Sequence, residues 1–218
     1  VTRGGRAAPA EGKSFDAARF ADTFDVSRET MVALGRYAAL LIRWQRRINL
    51  VAESTIADLW WRHFADSAQL AALMPGDARV IADVGSGAGF PGLVIALMRP
   101  MFHVKLIESN AKKAAFLRAV VARAGARNVA IRRERVECIT GWTADVIVAR
   151  ACAPLPRLLA LTDSIRRPDT VCRFLKGADA QVELTAAEEG WKMAAETTPS
   201  LTSPDSVIVK LSEVSRAP

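Results

Sequence analysis

The residues best suited to chemistry form one run, Asp83-Val84-Gly85-Ser86-Gly87-Ala88-Gly89-Phe90-Pro91-Gly92. It follows an apolar stretch, 79–84, that reads as a buried strand, and it opens an apolar helix over 93–98. Gly85, Gly87 and Gly89 permit positive φ and let a ligand touch the backbone. The helix start beyond them presents free N–H groups. Pro91 suits its first turn, where a missing N–H is no loss. Two ligand classes compete for such a loop. A dinucleotide fingerprint, GxGxxG, needs its third glycine at position 90, where Phe90 stands. GxGxG with an acid two residues ahead suits S-adenosylmethionine instead, which has no pyrophosphate to cradle. Asp83 can face the ammonium end of that ligand, directly or through water. Glu108 closes the next predicted strand, 25 residues after Asp83. A carboxylate there can accept hydrogen bonds from both ribose hydroxyls. The plainer alternatives are a loop cap for Asp83 and a solvated strand end for Glu108.

Alternating strands and helices are expected to carry this loop. Strands are predicted at 102–107, 128–132, 144–149 and 170–175, and helices at 110–124, 154–165 and 180–190, with a turn or short helix at 133–140. Two late strands, about 192–197 and 206–212, are spaced to pair antiparallel at one edge. Apolar strands alternating with helices predict an α/β fold: a Rossmann-like, mostly parallel seven-stranded sheet covered on both faces. Upstream the period is helical, with Phe20, Phe24, Met31, Leu34, Leu41, Trp44 and Ile48 recurring near 3.6 residues. Arg36–Ile48 has an apolar face and a basic side, and Asn49 is expected to end it as a C-cap. Ser54-Thr55 should cap a helix through Leu59, Trp60 and Phe64, and Asp66-Ser67 should open a short one before Pro75-Gly76. The boundaries expected are a flexible tail at 1–14, a helical N-terminal extension at 15–76 and the cofactor-binding domain at 77–218.

The chain carries 30 Lys+Arg against 23 Asp+Glu, net +7. Residues 99–135 alone hold ten basic and two acidic groups, net +8. Such a block attracts a polyanion; alternatively it is a solvated basic face without a partner. The candidate nucleic-acid contacts in it are Lys112, Lys113, Arg118, Arg123, Arg127, Arg132, Arg133 and Arg135. Arg43, Arg46 and Arg47 form a possible second patch. Half the residues are apolar and 24% are charged, which excludes wholesale disorder. No apolar run approaches the ~18–20 residues of a spanning helix, and the first residues lack the apolar core of a secretory signal. Three cysteines without a CxxC pair, and only two histidines, argue against a disulfide framework or a zinc site. No metal is expected, and reduced thiols point to the cytoplasm.

The string DVGSGAGFPG resembles the small-subunit rRNA guanine-N7 methyltransferases, the RsmG (GidB) family. The resemblance extends through Trp44 and Asn49-Leu50-Val51, His63-Phe64-Ala65-Asp66-Ser67, Glu108-Ser109, Lys112-Lys113, Phe116-Leu117, Arg135-Val136-Glu137, Ala149-Arg150-Ala151 and Lys176-Gly177. It covers about residues 37 to 177, roughly two thirds of the chain. It implies a monomeric class I S-adenosylmethionine-dependent methyltransferase acting on N7 of a guanine in the 530 loop of 16S rRNA, free or in a small-subunit particle. By position, Gly85, Phe90, Val136, Glu137 and Arg150 match the family's S-adenosylmethionine-binding positions. Phe90 would offer the ligand an apolar face. Val136 and Glu137 would lie beside the adenine.

Guanine N7 is an unprotonated lone pair. Its methylation needs no general base, and none is expected. Orientation and proximity should carry catalysis, with Arg150, His63, Asn49 and Lys176 as positioning candidates. His63 and Asp66 read equally as a structural hydrogen-bonded pair, and Trp60 and Trp61 as helix packing.

Overall fold

Seven strands form one sheet in a computed structural model that describes residues 15–217. The tail expected at 1–14 lies outside the described residues. The sheet order is β3-β2-β1-β4-β5-β7-β6, with β1 Val80–Val84, β2 His103–Ile107, β3 Val129–Arg132, β4 Val146–Arg150, β5 Val171–Lys176, β6 Trp191–Pro199 and β7 Val207–Arg216. The first five strands are parallel; β7 runs antiparallel to both β5 and β6. The last two strands are longer than expected. They pair over nearly their whole length, with a register shift at Lys192/Ala194. Strand order reverses between β1 and β4, the switch point outside which open α/β sheets bind ligands.

Helices α4 Gly92–Met98 and α5 Ala111–Ala124 cover one face; α6 Leu155–Leu161 and α7 Ala180–Glu188 cover the other. Asn110 caps α5 by accepting the N–H groups of Lys112 and Lys113, and Gly125, at φ +73°, ends it. The helical lead, α1 Ala17–Phe24, α2 Arg28–Gln45 and α3 Asp66–Ala71, is a further layer over α4 and α5. Its Phe20, Leu34, Tyr37 and Leu41 are fully buried in one core with Leu93, Phe116 and Leu117. The change of texture expected at residue 76 is therefore no break in the core.

Two local expectations in the lead are corrected. Helix α2 stops at Gln45, so Asn49 is an exposed residue beyond it and not its cap. The Gln45 side chain turns the chain instead: its Oε1 accepts the N–H groups of Leu50 and Val51, and its Nε2 donates to the Val51 carbonyl. Ser54-Thr55 do not cap a helix through Phe64: a short 3-10 turn, Glu53–Thr55, precedes a π-helical segment, Trp60–Ala65. The short helix expected from Asp66 is present as α3, entered directly from that segment and without a side-chain cap. The Ser67 hydroxyl donates back to the His63 carbonyl. Among the described residues no helix is long and apolar enough to cross a membrane.

Candidate cofactor and substrate site

The glycine loop leaves β1 at the switch point. Gly87 sits at φ +55°, and a Cβ there would meet nothing nearer than the Gly85 carbonyl at 3.6 Å. Its outward side is open space into which a ligand can approach the backbone. The Gly87 N–H donates to Glu108 Oε2 at 2.9 Å, and the Asn110 N–H donates to Oε1 at 2.7 Å. Glu108 thus ties the loop to the end of β2, and each carboxylate oxygen keeps a second lone pair for a ligand hydroxyl.

Asp83 is fully buried. Its Oδ2 accepts the Gly92 N–H at 3.2 Å, and its Oδ1 has no partner. Burial pushes its carboxyl up to about 7, against the opposing pull of the nearby Ser86 hydroxyl, the Gly92 N–H and Arg150; that hydroxyl donates to the Asp83 backbone carbonyl. An unsatisfied buried oxygen of this kind calls for a donor or a cation.

Phe90 departs from expectation. Its ring lies against Tyr37 (5.2 Å between centroids) and His63 (5.1 Å), with Phe64 edge-on and the Arg150 guanidinium 4.9 Å from its centre. At 3% exposure it has no open face for a ligand, because α2 and the π-helical segment pack directly onto the loop. The same packing brings the Tyr37 hydroxyl to the Ala88 carbonyl at 2.5 Å. Val136, in a one-turn 3-10 helix after β3, is buried, and the exposed Glu137 pairs with Arg135 at 2.6 Å. The turn follows the edge strand β3 and packs back toward the other face of the sheet: the Ser164 hydroxyl donates to the Val136 carbonyl at 3.3 Å, and Val136 shares a core with Ile107 and Ile165.

Beside the loop, between β4, β5 and the lead, opens a cavity of about 660 Å³ whose lining includes His63, Asp66, Arg150, Cys152 and Lys176. Arg150 ends β4. Its Nη1 donates to the Arg62 carbonyl and to Asp66 Oδ2, both at 3.1 Å, and its Nη2 meets His63 Nδ1 at 2.8 Å. Burial first, then the charges of Arg150 and Arg62, lower the His63 pKa to about 3. The ring is therefore neutral at neutral pH. With Nδ1 accepting from Arg150, Nε2 carries the proton and faces the Thr55 hydroxyl at 2.7 Å. His63 and Asp66 are not bonded to each other, as one reading had it; both hold Arg150. Trp60 stacks on Phe64, and Trp61 lies against Phe15.

Lys176 is less free than a positioning group would be. Its Nζ donates to the Ala153 carbonyl at 2.7 Å and to Glu183 Oε2 at 2.6 Å. The Cys152 thiol lies against the loop: a Cβ on Gly85 would be 2.6 Å from its Sγ. Its partial burial, then the Asp83 and Glu108 charges, raise its pKa.

The basic block divides in two. Lys112, Lys113, Arg132, Arg133 and Arg135 stand at the end of the sheet that carries the loop. Arg123 and Arg127 stand at the far end of α5, a length of ~20 Å at 1.5 Å per residue, and Arg118 lies between. All are exposed except Lys113, which is half-buried. Arg132 is paired with Glu134. Arg43, Arg46 and Arg47 are exposed at the end of α2.

Residues 30–208 match the family model for rRNA small subunit methyltransferase G. The chain belongs to that family. It is 49% identical over 201 residues to ribosomal RNA small subunit methyltransferase G of Rhodospirillum centenum, covering 92% of each chain. The counterpart in Paramagnetospirillum magneticum is 48% identical over 192 residues, covering 88% of this chain and 92% of that one. Among solved structures, an O-methyltransferase from Bacillus cereus in complex with SAH superposes at a TM-score of 0.55. It is 15% identical, with 90% of this chain and 96% of that one covered, which shows a shared fold. In this chain, motif spacing alone could point to the loop and to Glu108. Tyr37 and Gly92 escaped it, as did the contact of Asp66 with Arg150, because each acts through a tertiary contact.

Proposed function

We propose that this chain transfers the methyl group of S-adenosylmethionine to N7 of a guanine in the 530 loop of 16S rRNA, acting as a cytoplasmic monomer. Membership of the methyltransferase G family over residues 30–208 carries the reading. The site fits the cofactor on its own chemistry. Asp83 offers a buried, unpartnered oxygen toward a cationic amino group, Glu108 retains lone pairs for ribose hydroxyls, and Gly87 leaves its ligand side open. When bound, S-adenosylmethionine supplies an electrophilic methyl on a sulfonium.

The residues of this chain bind and orient; they remove no proton. N7 attacks with a free lone pair, so no base is required. The local groups agree with that role. His63 is neutral with both nitrogens engaged, and the raised Cys152 thiol stays protonated at neutral pH. Of the five N–H bonds of Arg150, three are used within the protein. The Nε–H and one Nη2–H have no acceptor among the described residues and are available to an incoming base or to the cofactor. The cavity, walled by helix, strand ends and loop, suits a looped-out guanine more than a duplex. Lys112 and Lys113, at the loop end of the sheet, supply phosphate contacts.

Purified protein incubated with labelled S-adenosylmethionine and, separately, naked 16S rRNA, an assembly intermediate and the mature small subunit tests the reading. The expected product is 7-methylguanosine in the 530-loop fragment of at least one. Transfer to none of the three would refute it.

A further inference from the structure

Asp66 joins three walls of the cavity. Its Oδ2 accepts from Arg150 at the end of β4. Its Oδ1 accepts the Thr202 hydroxyl at 2.7 Å, from the loop between β6 and β7, and Gln69 Nε2 at 3.1 Å. Gln69 holds the same loop by donating to Ser200 Oγ and accepting the Leu201 N–H. Three chain segments, 84 and 136 residues away from Asp66 or adjoining it, therefore meet on one carboxylate. The pair is partly buried, with side-chain exposures of 18% for Arg150 and 13% for Asp66. A carboxylate–guanidinium contact there is screened less than one on the surface. On the other side Phe90 and His63 limit the guanidinium to one plane.

We propose that Asp66 is a positioning residue: it fixes the Arg150 guanidinium so that its two unused N–H bonds stay directed to the reaction site. The helical lead then completes the methyl-transfer site by supplying Asp66 and His63. This rests on reading the cavity as that site. The two carboxylate oxygens make the idea separable. In Asp66→Asn the amide oxygen can take the Oδ1 place and keep Thr202 and Gln69, while the amide nitrogen faces Arg150 and releases it.

The test is a double-mutant cycle of Asp66→Asn with Arg150→Lys, read in kcat on small-subunit rRNA and in the dissociation constant of S-adenosylhomocysteine by calorimetry. Hydrogen exchange of residues 200–206 is followed in parallel. Asp66→Asn should lower kcat by about 10- to 100-fold, the scale of a misplaced contact. Arg150→Lys should do likewise, and the double variant should be no worse than about twofold below Arg150→Lys, since coupled residues are not additive. Loop protection should match the unmodified protein in Asp66→Asn. Multiplicative losses, unchanged kcat in Asp66→Asn, or collapse of loop protection in that variant would overturn the proposal. If the unmodified protein methylates no small-subunit rRNA, the substrate reading falls, and the cycle is decided by the calorimetry alone. Coupled losses of affinity then sustain the role of Asp66, and independent or absent losses overturn it.

Discussion

Replacing Gly92 by alanine sets helix propensity against packing. Gly92 is the first residue of α4, directly over β1. By propensity alone, alanine in place of glycine stabilises a helix by about 1 kcal/mol. Here the added methyl would lie 2.6 Å from Asp83 Cβ, 2.6 Å from Asp83 Oδ2 and 2.6 Å from Leu106 Cδ2. Both residues are fully buried, so something in the core must move. Overpacking of this kind costs about 1–3 kcal/mol. Weakening the Gly92 N–H bond to Asp83 adds about 1 kcal/mol. The net expectation is a destabilisation of about 2 kcal/mol, near a 30-fold change in the folded ratio and about 4–8 °C in Tm at this length. Gly35, within α2, is the internal control. Nothing lies within 4 Å of a Cβ built there, so Gly35→Ala should stabilise by about 1 kcal/mol. Urea denaturation of both variants, with unchanged m values, measures the pair. If Gly92→Ala were as stable as the unmodified protein, the close contact between α4 and β1 would not exist as described.

Charge reversal of Lys112 and Lys113 to Glu should weaken rRNA binding and lower the slope of log affinity against log salt by roughly 2–4, with little change in cofactor affinity. The same reversal of Arg123 and Arg127, at the far end of α5, should do less; filter binding at several salt concentrations distinguishes them. Asp83, with its folded pKa raised to about 7, binds a proton more tightly folded than unfolded. Its contribution is therefore fully present below about pH 4 and is lost as pH rises through 7. In the ligand-free protein, the stability difference between Asp83→Asn and the unmodified chain should grow from pH 5 to pH 8 in favour of Asn. A pH-independent difference in denaturation midpoints would contradict that. Tyr37→Phe removes the donor to the Ala88 carbonyl and should destabilise by about 1–2 kcal/mol, with weaker cofactor binding in calorimetry.

Legibility followed the range of the interactions. The strands were readable because each central strand is a short apolar run between turn residues, and a parallel sheet buried on both faces leaves little else for such runs to do. Asp83, the glycines and Glu108 could be singled out as candidates because they follow in order within one βαβ unit, where Gly87 and Glu108 meet. The end of α2 was misread because Trp44 and Ile48 continue the apolar period past Gln45, whose side chain turns the chain. The π-helical segment was invisible, since one widened turn hardly disturbs a 3.6-residue pattern. Phe90 was read as a ligand face from its match to the family's cofactor-binding positions; in the fold Tyr37 and His63 pack on its ring. The Asp66–Arg150 contact joins residues 84 apart, and no local pattern encodes it. The net +8 block was correct as arithmetic but not as one surface, because α5 carries its charges to both ends of the sheet.

The most direct measurement is the 7-methylguanosine content of the 530-loop fragment of 16S rRNA, by mass spectrometry, from a strain lacking this chain. Loss of the modification on deletion, and its return when the unmodified chain is supplied, is the predicted result. A fragment that stays fully methylated without the chain would contradict the proposed activity.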